Sequence, residues 1–281
     1  MTTSFCRLER LTARDHPGVA AAGRTIAYLH TAQRPRAVVL LHGMSASPAQ
    51  FERVARDLFE RGHNVLVPRL PRHGHANPLS DALERLHAQD LYDAVTEYVA
   101  IARELGERIT FAGFSLGGLL TAWVAQHCDV DRCVPIAPFL GVSLIPNRLM
   151  GTVAERLLRL PNRFHWWNPI LREREMPRIG YPRYATHAIG HSYRIARALL
   201  DEARMNRPAA EHVTIVTNAA EVAVNNFAIR RLYESWHRQR PEAIELQVLT
   251  GLPLSHDIVS PLRRWGLADR VHPRLLRAID P

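Results

Sequence analysis

The first strong pattern from the amino terminus is Arg36 to Leu41, a short apolar, β-branched run that stops at His42-Gly43. It predicts a buried parallel strand running into a sharp turn. Pro48 to Arg61 then spaces Phe51, Val54, Ala55, Leu58 and Phe59 at helical intervals and ends at Gly62. Asn64 to Pro68 is the next predicted strand, and Gln89 to Leu105 carries Leu91, Val95, Tyr98, Val99, Ala102 and Leu105 on one face of a second helix. Arg108 to Ala112 predicts a third strand, Ser115 to His127 a helix that begins almost at once after it, and Cys133 to Ala137 a fourth strand. Strands alternating with helices of this length predict βαβ units: an α/β fold with a mostly parallel central sheet covered by helices on both faces.

The alternation fails between Pro138 and about Pro208. That stretch holds several prolines, clustered arginines and the aromatic run Phe164-His165-Trp166-Trp167, with no clear strand. An insertion so long in an otherwise regular chain predicts a helical cap or lid over the working edge of the sheet. Alternation resumes with a strand from His212 to Thr217, a helix near Asn226 to Arg238, a strand from Ile244 to Leu249, a loop holding His256 and a last helix near Ala268 to Ile279. The expected organisation is a core of residues 1–137 and 209–281 interrupted by a cap at 138–208.

A chain of 281 residues can bury one large core, and 47% hydrophobic with 22% charged residues is ordinary globular usage. No run approaches the roughly 18 apolar residues of a membrane-spanning helix. The first thirty residues carry charges where a signal peptide is apolar, so the expected location is the cytoplasm without integral membrane association. Cys6, Cys128 and Cys133 are too few and too scattered for a disulfide framework and read as reduced, packing thiols. The formal charge is +9 and the chain contains no Lys, so Arg supplies every fixed positive side chain. The arginines are spread along the chain and form no arm or stripe, which argues against a nucleic-acid binder and leaves attraction of an anionic substrate as an open question.

Gly113-Phe114-Ser115-Leu116-Gly117 fits G-x-S-x-G between a predicted strand and a predicted helix. A strand running straight into a helix leaves Ser115 on a strained turn, and glycines two residues to either side are needed because a Cβ there would strike neighbouring backbone. With this context the chain resembles the α/β-hydrolase superfamily, and G-F-S-L-G-G looks like its esterase and lipase members. The resemblance covers the chain from about Gly23 onward, apart from the insertion.

A serine hydroxyl needs a base, and Ser255-His256-Asp257, in the loop after the last predicted strand, lies where the family places its catalytic histidine. His272 is the late alternative, in a segment that reads as helix. The resemblance places the third member after the strand before last, in a pattern like H-G-x-x-D-x-x-V. Thr217 to Val224 occupies that place, and Glu221 stands where Asp is usual. Asp257 is a poor substitute, since adjacent side chains in an extended loop point apart. His42-Gly43-Met44 resembles the family's oxyanion turn, implying backbone N–H donors from Met44 and Leu116. His42 itself reads as structural.

Pro71-Arg72-His73-Gly74-His75 resembles the family's P-G-H-G loop, with Arg72 for the first glycine. His73 and His75 have no Cys or carboxylate partner nearby, a weak metal signal, so neither metal nor cofactor is expected. Phe139, Leu140, Trp166 and Trp167 are candidates to line an acyl pocket, the tryptophans equally well anchors of the insertion. The expected activity is hydrolysis of a small-molecule carboxylic ester with an apolar acyl group through Ser115, His256 and Glu221. The alternatives are a thioesterase or other acyl-transfer enzyme of the same fold, and a catalytically silent binding or scaffold member of it.

Overall fold

The computed structural model describes residues 2–143, 145–170, 172, 180–261 and 267–281. Helix α1 (Thr2–Thr12) and strand β1 (Ile26–Tyr28) come first, and the sequence pattern predicts neither. The patterned part follows the expected order: β2 (Arg34–Leu41), α2 (Glu52–Glu60), β3 (Asn64–Val67), α3 (Ala88–Leu105), β4 (Gly106–Phe114), α4 (Leu116–His127) and β5 (Arg132–Ile136).

The next segment contains α5 (Met150–Arg159), β6 (Phe164–Trp166), β7 (Arg183–Ala185) and α6 (Thr186–Glu202). The chain closes with β8 (His212–Asn218), α7 (Asn226–His237), β9 (Ile244–Leu249) and α8 (Leu267–Ile279).

Seven strands form one sheet in the order β1-β3-β2-β4-β5-β8-β9. Only β1 is antiparallel, pairing with β3 at the edge from Ile26↔Val67 to Tyr28↔Val65. Parallel strands buried on both faces explain the continuous apolar runs: Ala37 to Leu41 of β2 and Val65 to Val67 of β3 have no exposed surface. Helices α2 and α8 pack together with β3, β4 and β5, while α3 and α4 pack together with β2 and β4. Cys133 is fully buried and Cys128 partly so, and burial pushes both thiols upward in pKa, away from reactive thiolate character.

This topology builds a site. From β2 the chain steps outward to β3, then returns across β2 to β4 and proceeds the other way through β5, β8 and β9. The turns after β2 and β4 therefore diverge at the reversal, opening a crevice at the carboxyl edge of the sheet. All the parallel strands end on that edge, so the residues following Leu41, Phe114, Ile136, Asn218 and Leu249 gather there.

The segment between β5 and β8 departs from the sequence expectation in one respect. Strands β6 and β7 pair as an antiparallel ribbon, Phe164↔Ala185 to Trp166↔Arg183, where no strand is predicted. Three residues are too short for a period-two pattern to show. Around the ribbon, α5 packs along α6, and α6 lies against α3 and α4. Residues 144, 171 and 173–179 of the expected cap lie outside the described residues.

Candidate active site

Ser115 sits between β4 and α4 with φ 55° and ψ −110°, a backbone conformation that costs a non-glycine residue about 1–3 kcal/mol. The surroundings enforce it. A Cβ on Gly113 would lie 2.3 Å from the Gly117 carbonyl oxygen, and one on Gly117 would lie 2.0 Å from the Leu41 carbonyl oxygen. The Ser115 N–H donates to Ile136 O at 2.9 Å, and its carbonyl accepts from Leu119 N at 2.8 Å and Phe139 N at 3.0 Å. The turn is thus strapped to α4 and to the end of β5, and its hydroxyl stands at the crevice.

His256 and Glu221 come to this hydroxyl from the ends of β9 and β8. His256 Nε2 lies 2.8 Å from Ser115 Oγ, and His256 Nδ1 lies 2.9 Å from Glu221 Oε2. A carboxylate only accepts, so Nδ1 carries the proton and Nε2 is left as an acceptor for the hydroxyl. The Phe114 ring packs on the imidazole at 4.7 Å between centroids.

Glutamate's extra methylene is accommodated because the loop curls around it. Oε1 accepts from the amides of Val222 at 2.8 Å and Ala223 at 2.7 Å, leaving Oε2 for His256. Burial alone would raise the Glu221 pKa. The hydrogen bond and charge of His256, with the amides of Ala223 and Val224, outweigh it and hold the carboxyl below its ordinary value.

The other candidates go elsewhere. Asp257 Oδ1 caps its own turn, accepting from Val259 N and Ser260 N. His272 Nε2 is 2.7 Å from Asp57 Oδ2, tying α8 to α2.

The turn after β2 presents one amide by elimination. Gly43 N donates to Gln50 Oε1 at 2.9 Å, and Ser45 N donates to His73 Nε2 at 3.3 Å. Among the described residues no acceptor takes the N–H of Met44, and none takes that of Leu116, the first residue of α4.

His42 is neutral and structural. Its Nδ1–H donates to Gly43 O while Nε2 accepts from Leu70 N, and burial, then the neighbouring His73, depress its pKa well below the ordinary value. Both ring nitrogens of His73 are likewise used by backbone, at Pro71 O and Ser45 N, and burial lowers its pKa to about 4. Neither nitrogen of His73 is left for a metal, and among the described residues no cluster of three or more His, Cys, Asp or Glu could hold one.

Phe139 follows β5, is nearly buried and packs edge-on against Tyr193. Leu140, the next residue, has no exposed surface. Trp166 ends β6, and Trp167, just after it, is half exposed and packs on Tyr184 of β7. The ribbon is fastened to the β2 turn: Tyr181 N donates to Ser45 O at 2.7 Å and Ser45 Oγ to Arg183 O at 3.2 Å.

Two residues escape the sequence reading. Gln50 occupies the Gly43 amide, and Asn218, fully buried at the end of β8, couples two loops. Its Oδ1 accepts from Ala220 N in the Glu221 loop, and its Nδ2 donates to Pro253 O and Ser255 O beside His256. The available signal is positional, since Asn218 occupies the glycine of the H-G-x-x-D pattern three residues before Glu221.

A family model described as the alpha/beta hydrolase family matches residues 38–279. The chain belongs to that family. It is 30% identical over 118 residues to the thermostable monoacylglycerol lipase of Bacillus sp. (strain H-257), covering 42% of this chain and 46% of the relative. It is 31% identical over 143 residues to the pimeloyl-[acyl-carrier protein] methyl ester esterase of Vibrio atlanticus (strain LGP32), covering 47% and 51%. The chain spans about half the length of the curated relatives it matches. Its fold is similar to that of a soluble variant of monoglyceride lipase from Saccharomyces cerevisiae, with TM-score 0.68, 13% identity and coverage of 92% of this chain and 91% of the other. No described helix is long and apolar enough to cross a membrane.

Proposed function

We propose that this chain hydrolyses carboxylic esters with an apolar acyl group through a Ser115-His256-Glu221 triad. One observation carries the proposal: an unbroken hydrogen-bonded chain from a buried carboxylate through an imidazole to a serine hydroxyl held on a strained turn. Both curated relatives are named for the cleavage of carboxylic esters, which supports this substrate class.

His256 Nε2 takes the proton of Ser115 as Oγ attacks the ester carbonyl, and Glu221 stabilises the imidazolium that forms. The oxyanion is received by the N–H groups of Leu116 and Met44, an arrangement whose members are worth about 3–4 kcal/mol each in the transition state. The alcohol leaves with the proton from His256, and water then releases the acid from Ser115 by the same route. No step calls for a cofactor. In this reading residues 138–208 form a cap on the core of 1–137 and 209–281, and Phe139, Trp166 and Trp167 shape the acyl side of the crevice.

The test is labelling by a fluorophosphonate probe together with turnover of p-nitrophenyl butyrate, in the wild type and in Ser115→Ala. Loss of both in the variant, with kcat/KM down at least about a thousandfold, is expected. A folded wild type that neither labels nor turns over removes the triad and leaves a binding member of the fold.

A further inference from the structure

Away from the triad, α5, α6 and α7 border an open surface cavity of about 330 Å³ lined by four exposed arginines: Arg148, Arg197, Arg204 and Arg231. They come from three places. Arg148 precedes α5, Arg197 is on α6 and Arg204 in the turn that follows it, and Arg231 is on α7. The one carboxylate in the lining, Asp201, is taken by Arg197 at 2.6 Å.

Among the described residues, Arg148, Arg204 and Arg231 have no carboxylate within ion-pair distance. Some arginines elsewhere pair with a carboxylate, as Arg14 does with Glu97, Arg69 with Asp15 and Arg194 with Glu155, and many exposed ones do not; what sets Arg148, Arg204 and Arg231 apart is that they line one concavity. All three are exposed, so water screens much of their repulsion, and an anion seated among them relieves the rest while gaining three cationic partners. The floor is apolar, formed by buried Met150 and partly buried Leu200.

We infer that this cavity binds a phosphate monoester, its dianionic head among Arg148, Arg204 and Arg231 and a short apolar portion against Met150 and Leu200. Guanidinium forks match tetrahedral phosphate oxygens in bidentate geometry. A dianion answers the net positive charge of the lining better than a single carboxylate does. The volume is that of a small-molecule site. Neither Ser115, His256 nor Glu221 lines the cavity, so the site stands whether or not the ester-hydrolase reading does.

The head could belong to a free metabolite or to a lipid. Glycerol 3-phosphate titrated calorimetrically, and flotation with phosphatidylcholine vesicles with and without phosphatidic acid, separate the two sources. Saturable binding with Kd at or below about 1 mM is expected for one of them. The double variant Arg204→Glu/Arg231→Glu weakens it at least about tenfold, while Arg24→Glu/Arg274→Glu, an equal charge change on exposed arginines outside the lining, leaves it within about twofold. Arg204→Gln/Arg231→Gln repeats the test without reversing charge, with circular dichroism as the check on folding. Absence of saturable binding by either probe, or equal weakening in the control variant, overturns the site and leaves solvated arginines.

Discussion

The turn that carries Ser115 and the loop that carries Glu221 both follow parallel strands, and both present one side chain to His256, yet they are held by different means. The Ser115 turn is fixed by exclusion: backbone passes so close to Gly113 and Gly117 that no side chain fits, and the strained φ follows. The Glu221 loop is fixed by attraction, through amides that close on Oε1 and the side chain of Asn218 bridging to the His256 loop. Exclusion admits few sequences. Hydrogen bonds can be supplied by several residue types, so the second loop can depart from a family pattern and still place a carboxylate correctly.

The contrast breaks most directly at Gly117. Gly117→Ala puts a Cβ where the Leu41 carbonyl stands, and neither α4 nor the central strand β2 can yield without disturbing the sheet. A loss of about 3 kcal/mol or more in unfolding free energy is expected, the upper end of overpacking, together with a fall in kcat/KM of at least about a hundredfold. Thermal unfolding and ester turnover measure the two. An alanine tolerated in both would mean that the turn is held by something other than steric exclusion.

Glu221→Gln tests the other loop. An amide can face the imidazole with an N–H, which favours the wrong tautomer, and a loss of up to about 10⁴-fold in kcat is expected with little change in KM. The stability consequence has a definite sign. The Glu221 carboxyl is held below its ordinary value of 4.5, so its contribution is complete above that pH and is lost as pH falls through the folded-state pKa. The stability difference between wild type and Glu221→Gln should stay constant above about pH 5.5 and shrink below 4.5, as measured by urea unfolding across that range. A difference that grew on acidification would show that the carboxyl is not held ionised by the loop.

Asn218→Ala sharpens the comparison by removing the bridge and sparing the triad. Two carbonyls and one amide lose their partner in a partly buried place that water can reach in part, costing about 1 kcal/mol. Displacement of His256 relative to Glu221 should lower kcat about tenfold to a hundredfold with KM nearly unchanged. A merely structural role would lower stability and leave kcat and its pH profile intact.

The same division explains what could be read from the chain. The parallel strands and the Ser115 turn were legible because burial on both faces and steric exclusion leave dense, local signatures: apolar runs, and glycines at fixed offsets. The position of His256 followed from its place after the last strand. Glu221 was legible only as a position, since nothing in Thr217 to Val224 states that amides will wrap a longer carboxylate. Asn218 acts through side-chain hydrogen bonds that reach 35 and 37 residues along the chain, and Gln50 through one bond to Gly43, and such isolated contacts leave no periodic trace. The β6–β7 ribbon was invisible for another reason: each strand has three residues, and their pairing spans the segment between Trp166 and Arg183.

The smallest effect lies in the loop after β3, where the two modes of fixation meet. Arg72 occupies the left-handed region at φ 63° and Gly74 follows at φ 80°, in a loop whose family pattern has glycine at both places. The Arg72 conformation costs about 1–2 kcal/mol relative to an unstrained residue, and its side chain is exposed. Arg72→Gly removes that strain but adds conformational entropy to the unfolded chain, which offsets about half to all of the gain. The expected result is a rise in Tm of at most about 2 °C with ester turnover unchanged. A clear fall in Tm would mean that the Arg72 side chain holds this loop by attraction, as the amides hold Glu221, despite the backbone conformation it must adopt.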